Sequence, residues 1–148
     1  MTHLELRVDI QAPVDEVWRA ITEWNQQGKW MLATKVESLD GQGRHVGARI
    51  KAVTGFGPLG ILDTMTITHW DPPNYCAVLH TGKIVRGTGE FQVKPIHDQA
   101  ATFIWAEDLD IPLGLLGKVG FLLIRPLFLL GIKHSLVKFA NLVEQGKI

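Results

Sequence analysis

Hydrophobic and polar residues follow different periods in different parts of this chain, and each period predicts one kind of element. Residues 3–11 alternate one by one, which predicts a first β-strand with four aliphatic side chains on one face: Leu4, Leu6, Val8 and Ile10. Pro13 then marks the start of a helix, because the first helical position needs no N–H donor. Residues 24–32 predict a second short helical piece.

The middle of the chain returns to a period of two, interrupted by turn sequences rich in Gly, Pro, Asp and Asn. Six further strands are predicted there, over residues 34–40, 46–54, 61–70, 75–81, 84–94 and 100–110. Gly87 and Gly89 lie on the inward face of their strand, where missing side chains either leave room for a cavity or let a helix pack closely. The order of elements predicts an α+β fold, one antiparallel sheet with helices on one face, in a single domain over residues 1–148.

The C-terminal run from Ile111 to Val143 is very apolar and predicts a long helix. One stripe of its helical wheel contains seven residues, Phe121, Arg125, Phe128, Ile132, Leu136, Phe139 and Val143. Arg125 needs an anionic partner, a ligand or water there, because a guanidinium keeps its charge. Pro126 either kinks the helix or separates a loose segment 113–125 from a firm helix after it. The stripe therefore predicts a helix that lies over a cavity.

Charge and composition narrow the class of protein. The apolar run is long enough to span a membrane, but each cation inside it, such as Lys118, would cost roughly 3 kcal/mol near the bilayer centre, so we predict no transmembrane span. Fifteen basic and fifteen acidic residues cancel, which leaves no electrostatic footprint for nucleic acid. The lone cysteine, Cys76, and an N-terminus that alternates charged and apolar residues predict a cytoplasmic protein.

Several local sequences resemble those of one family. They are residues 10–18 (IQAPVDEVW), 70–73 (WDPP), 80–82 (HTG), 87–95 (GTGEFQVKP) and 105–107 (WAE). The chain is similar over nearly its whole length to the SRPBCC, or START-like, superfamily in its polyketide cyclase/dehydrase branch. This resemblance implies the helix-grip fold, in which a curved seven-stranded antiparallel sheet wraps a long C-terminal helix and leaves a hydrophobic cavity. That fold is shared by lipid carriers, receptors and enzymes, so it does not choose among them.

Polar groups inside such a cavity are the candidates for chemistry. If Phe103 faces inward, Trp105 and Glu107 do as well, whereas Ile104 defines the rival register. The first register, which the resemblance favours, makes Glu107 a cavity carboxylate. Arg125 then faces Glu107 as an interior ion pair, or binds a carboxylate or enolate oxygen of a ligand. The alternative is that Arg125 extends its charged end to water at the cavity mouth.

Nine side chains are predicted to line the cavity: Trp30, Met31, Phe56, Met65, Phe91, Trp105, Phe121, Phe128 and Ile132. Residues 55–60 match the pattern G-x-G-x-x-G, but Pro58 removes an amide and a strand follows. This segment therefore predicts a loop at the cavity rim and not a nucleotide site. No two of the six histidines have the close spacing typical of metal ligands, so we predict neither a metal nor another cofactor.

Three functions follow from these features. The first is binding or transport of a hydrophobic small molecule such as a lipid, a polyketide or an aromatic metabolite. The alternative is a cofactor-independent cyclase or dehydratase, in which Glu107 moves protons and Arg125 stabilises an enolate. The third is an interaction module whose apolar C-terminal helix docks another chain or a membrane surface. Both a monomer and a homodimer are compatible with the sequence.

Overall fold

The computed structural model describes residues 1–148 and contains seven strands, two α-helices and two short 3₁₀ helices. The strands are β1 (Thr2–Ile10), β2 (Thr34–Ser38), β3 (Arg49–Thr54), β4 (Ile61–Asp71), β5 (Tyr75–Thr81), β6 (Arg86–His97) and β7 (Ala100–Leu109). The α-helices are α1 (Val14–Ile21) and α2 (Gly114–Glu144). The 3₁₀ helices cover Trp24–Lys29 and Gly57–Leu59.

All seven strands form one antiparallel sheet in the order β1-β7-β6-β5-β4-β3-β2. Strands β2 to β6 each pair with the next strand along the chain, and β1 pairs with β7. Irregular pairing near Thr68 in β4 and near Ile96 in β6 bends the sheet locally. Helices α1 and α2 pack against this sheet, so the predicted α+β helix-grip architecture is confirmed.

The predicted element boundaries differ from the structure where local backbone geometry intervenes. The strand predicted over 46–54 begins only at Arg49, because Gly47 has a φ of +89° and interrupts the extended conformation. The strand predicted over 34–40 ends at Ser38. Asp40 lies just beyond it and accepts hydrogen bonds from the backbone N–H and the guanidinium of Arg49, which closes the β2–β3 connection. Pro13 precedes α1 as its N-cap.

Helix α2 is continuous over 31 residues and contains Pro126, so no loose segment precedes a separate firm helix. Its second half is held by the sheet, with Leu136, Phe139 and Val143 buried in the main core. The ring of Phe139 lies 5.0 Å from that of Trp30 and 5.6 Å from that of Phe103, measured between centroids. This half of the predicted stripe therefore faces the apolar interior.

The first half of α2 differs from the second in burial. In the most apolar 18-residue window of the helix, no residue is buried. By length and composition alone α2 could cross a membrane. In this structure it is the gripped helix of the fold, attached to the sheet by its second half and extending beyond that attachment.

We expect the Phe139→Ala variant to lose about 4 kcal/mol of unfolding free energy, because it leaves a cavity where the helix is attached to the sheet. Val137→Ala is the matched control, since Val137 lies on the same helical turn and is 45% exposed. That control should change the unfolding free energy by about 0.5 kcal/mol or less. Urea denaturation measures both values, and similar losses in the two variants would contradict this account of how α2 is held.

Candidate functional site

A cavity of about 640 Å³ lies between the inner face of the sheet and the middle of α2. Nineteen of the 29 residues that line it are hydrophobic. Strands β2 to β7 contribute side chains, mostly from alternate positions, and α2 contributes one face over residues 124–135. The volume lies within the roughly 300–1,000 Å³ typical of pockets for small organic ligands.

Six of the nine side chains predicted to line this cavity do border it, namely Met31, Met65, Phe91, Trp105, Phe128 and Ile132. The other three lie elsewhere. Trp30 is 1% exposed and belongs to the core beside Phe139. Phe121 packs against the core and the ring of Phe128, further toward the start of α2. Phe56 is 80% exposed on the β3–β4 connection.

Strand β7 presents Trp105, Glu107 and Leu109 to the cavity, which is the first of the two registers considered from the sequence. Ile104 and Ala106 alternate with these residues and are buried too, with 2% and 1% of their surface exposed. Both faces of β7 are therefore shielded from water, which is why hydrophobicity alone did not separate the two registers.

The polar end of the cavity is built around His80 of β5, which lies between two carboxylates. Its Nδ1 is 2.8 Å from Oδ1 of Asp63 on β4, and its Nε2 is 2.7 Å from Oε2 of Glu107 on β7. The His80 side chain is 3% exposed, and those of Asp63 and Glu107 are 18% and 14% exposed. We call these three residues the carboxylate–imidazole array. No group of three or more His, Cys, Asp or Glu side chains in the structure is placed to hold a metal ion.

His80 and Glu107 lie on strands that are separated by β6, and Gly89 of β6 leaves room for the Glu107 carboxylate between them. Gly87 is paired with His80 on one side, and Gly89 is paired with Glu107 on the other. A Cβ at position 89 would lie 2.9 Å from Oε1 of Glu107, so a larger residue would displace the carboxylate. Gly89 also borders the cavity. For Gly89 the structure therefore favours room inside a cavity. Gly87 does not border the cavity, and a Cβ there would collide with the backbone of Asp108, so Gly87 allows close packing of β6 against β7.

Hydrogen bonds within the array favour the protonated form of His80. Burial by itself lowers the pKa of His80, but hydrogen bonds to Asp63 and Glu107, together with their charges, raise that pKa to about 10. Burial raises the pKa of Glu107, and the hydrogen bond with His80 opposes this rise. The geometry agrees with a protonated imidazole, because both ring nitrogens of an imidazolium can donate to the two carboxylates at once.

Arg125 does not belong to the array. It forms no ion pair, it does not border the cavity, and its Nε is buried without a hydrogen-bond partner. The interior pair of Arg125 with Glu107 is not formed, and the partner of Glu107 is His80. The reason lies in the rotation of α2, since the cavity-lining arc includes Ile124, Phe128 and Ser135, and Arg125 lies about a quarter turn from its centre.

The sequence contained a signal for the two missed members of the array. Asp63 has the same parity in β4 as Met65, which was expected to face inward. His80 likewise has the same parity in β5 as Cys76 and Val78, and all three border the cavity. Period-two alternation therefore placed both side chains inside, although only the pairing of the strands brings them to Glu107.

A bent antiparallel sheet that grips a C-terminal helix around a mostly apolar cavity defines the class of helix-grip proteins. The chain belongs to the polyketide cyclase/dehydrase and lipid transport family, whose sequence model matches residues 1–144. The resemblance seen in the sequence is thereby confirmed. No curated protein sequence matches the chain.

Solved structures show the same fold at low sequence identity. The protein TTHA0849 from Thermus thermophilus has a TM-score of 0.80 at 13% identity, with 99% of this chain and 100% of that chain covered. The ZhuI aromatase/cyclase from Streptomyces sp. R1128 has a TM-score of 0.71 at 19% identity, with coverage of 99% and 93%. The di-domain aromatase/cyclase BexL of the BE-7585A biosynthetic pathway has a TM-score of 0.70 at 19% identity, with coverage of 97% and 47%. At these identities the likeness shows the fold alone.

The raised pKa of His80 predicts a stability that falls in alkaline solution. An unfolded histidine titrates near pH 6.5, whereas folded His80 holds its proton to about pH 10. The stabilisation is therefore complete below about pH 6.5 and is lost as the pH rises toward 10, with a change on the order of 5 kcal/mol. Urea denaturation between pH 6 and pH 9.5 measures this slope.

His80→Gln should flatten that slope, and His134→Gln is the control, because His134 lies exposed on α2 and contacts no carboxylate. A titration of the His80 ring by NMR in the unsubstituted protein gives a second measurement that does not depend on variant folding. A His80 ring that titrates near pH 6.5 would contradict the assignment of a protonated imidazole between the two carboxylates.

Proposed function

We propose that this protein binds a hydrophobic small molecule in the cavity between the sheet and α2. The observation that carries the proposal is a mostly apolar cavity of about 640 Å³ with the carboxylate–imidazole array at one end. Membership of a family that includes lipid transport proteins supports it. The proposal includes a cytoplasmic location, since the lone cysteine, Cys76, is free and suits a reducing compartment.

The polar cluster indicates what kind of ligand this is. Apolar walls such as Met65, Val78 and Phe91 favour an aliphatic or aromatic body. The array combines one imidazolium with two carboxyl groups, so its net charge lies between zero and minus one. It therefore favours a neutral polar group, such as a hydroxyl or a carbonyl, over an anionic one. The ligand we infer is a neutral amphiphile.

A substitution that fills the cavity should abolish this binding. Val78→Trp places a large ring in the cavity from the inner face of β5, whereas Leu79→Trp adds the same ring on the outer face, where Leu79 is 44% exposed. N-phenyl-1-naphthylamine, a neutral dye that fluoresces in apolar surroundings, serves as the probe. We expect at least a tenfold weaker affinity for Val78→Trp and an unchanged affinity for Leu79→Trp. Equal affinities in the two variants would show that the dye binds outside the cavity and would contradict the proposal.

A second candidate function is a cyclase or dehydratase, and the carboxylate–imidazole array is the observation that favours it. Ionised Glu107 would accept an α-proton from a β-carbonyl chain, and the resulting enolate would attack a second carbonyl to form a carbon–carbon bond. Protonated His80 would then give a proton to the new alkoxide. The proton that Glu107 took would pass to His80 across their 2.7 Å hydrogen bond, which restores both groups. Glu107 would then take a second α-proton, and the hydroxyl would leave as water with a proton from His80.

In this scheme Asp63 holds the imidazole in position, and the developing oxyanion lies next to His80. We do not give Arg125 the oxyanion role, because its guanidinium does not border the cavity. The aromatase/cyclase names of two structural relatives are consistent with this reaction class.

If the protein is an enzyme of this class, Glu107→Gln should lower the cyclisation rate of a model poly-β-ketone at least a hundredfold, because it removes the base. Binding of the naphthylamine dye should stay within about threefold, since the cavity walls are unchanged. The matched control is Asp108→Asn, because Asp108 is the next residue on β7 and contacts the surface residue His3. Mass spectrometry of the products follows the reaction, and equal rates in both variants would exclude Glu107 as the base.

A further inference from the structure

The outward face of the first half of α2 is apolar and open to solvent. Six leucines on this face are 63–79% exposed, namely Leu115, Leu116, Leu122, Leu123, Leu127 and Leu130. At 100° per residue they span an arc of about 140°, which is turned away from the cavity except at Leu127, a residue that also borders the cavity. A helix on the surface of a soluble protein normally presents polar residues on such a face, and a contiguous apolar patch indicates an interaction site. We call these six residues the leucine face.

The same side of α2 becomes mostly polar where the helix is held by the sheet, and Val137 is the exposed apolar residue that remains there. Beyond Leu130 it presents Lys133, His134, Lys138 and Asn141, which are polar or charged residues at the surface. The composition of the outward side therefore changes where the attachment to the core begins. Apolar outward residues are concentrated in the half of α2 that covers the cavity.

Exposed apolar side chains also surround the cavity mouth on the sheet side. Phe56 and Leu59 lie on the β3–β4 connection and are 80% and 84% exposed, and Ile84 on the β5–β6 turn is 57% exposed. These two connections adjoin Ile61 and Val85, which line the cavity. Residues that line the cavity therefore adjoin exposed apolar residues on these two connections and, at Leu127, belong to the leucine face itself.

The charge of α2 indicates what this surface contacts. The helix contains four cations, Lys118, Arg125, Lys133 and Lys138, and its first acidic residue is Glu144 at its end. In a chain with fifteen acidic and fifteen basic residues, this is a local excess of positive charge. Apolar side chains flanked by lysines match a lipid surface with anionic headgroups.

Two other occupants fit the same surface less well. A second copy of this chain would bring Lys118 and Lys133 of both molecules into one interface, with no acidic residue on that face to pair with them. A transmembrane path would withdraw Leu136 and Phe139 from the core that holds them.

We propose that the leucine face, together with Phe56 and Leu59, docks on an anionic membrane surface with α2 lying in the plane of the interface. The mouth of the cavity then opens against the lipids, and an apolar ligand passes between bilayer and cavity without crossing water. That role in ligand transfer rests on the proposed function, whereas docking itself does not.

Flotation with lipid vesicles tests the docking. Vesicles of phosphatidylcholine with phosphatidylglycerol should bind the protein, and vesicles of phosphatidylcholine alone should bind it at least tenfold less. Leu123→Glu should weaken binding at least tenfold, because Leu123 is 79% exposed and does not border the cavity. Val46→Glu is the control, because Val46 is 59% exposed on the β2–β3 connection at the opposite end of β3 from the mouth. Lys118→Glu should weaken binding to the anionic vesicles only.

The outcomes separate docking from ligand binding. Vesicle binding that is lost in Leu123→Glu and kept in Val46→Glu supports the proposal, whatever the naphthylamine dye does in the cavity. Absence of binding to anionic vesicles, equal binding to both vesicle types, or equal loss in both glutamate variants would overturn it. So would a dimer, seen without vesicles by analytical ultracentrifugation, that Leu123→Glu dissociates. If the unsubstituted protein binds anionic vesicles but does not bind the naphthylamine dye, the proposed function is contradicted and the docking proposal stands.

Discussion

Helix α2 is attached to the sheet by only half of its length, and the rest of the structure depends on that attachment. Phe139 contacts Trp30 and Phe103, and the hydroxyl of Ser135 accepts a hydrogen bond from the backbone of Leu32 at 2.9 Å. A helix of 31 residues is about 46 Å long, whereas a ten-residue strand such as β7 spans about 33 Å. The first half contacts the core only through partly buried side chains such as Phe121, and it covers the cavity and exposes its outer face.

Burial of the carboxylate–imidazole array in this apolar interior lowers the stability of the fold. Three titratable side chains lose most of their hydration, and each is compensated only by the others. Apolar residues of similar volume would stabilise the fold as well or better. The array also needs Gly89 on the strand between its members, and a glycine weakens a strand. A cluster that costs stability in two ways is best explained by contact with a ligand or by proton transfer.

The fold was predictable from the sequence because periodicity and turn residues report directly on which side chains face the core. The strands, the helix order and six of the nine lining side chains follow from that pattern. The partners of the polar residues did not follow. Arg125 shares the stripe of the core residues Leu136 and Phe139, but a wheel cannot show that the cavity-lining arc is rotated away from it. The meeting of His80 with Glu107 depends on strand order and register, which no local pattern contains.

The position of the array relative to the cavity mouth bears on how an amphiphile would move. Asp63 is the third residue of β4, His80 the next to last of β5, and Glu107 the third from last of β7. All three therefore lie near the same ends of the strands as the rim residues Phe56 and Ile84. A ligand whose polar group binds the array would direct its apolar body away from the mouth, toward Trp24 and Phe91.

On a docked protein that polar group could stay near the level of the lipid headgroups, while the apolar body leaves the acyl chains for the cavity. The polar group would then exchange one hydrogen-bonding environment for another, and the apolar body would exchange one hydrocarbon environment for another, so neither would need to cross water in the transfer.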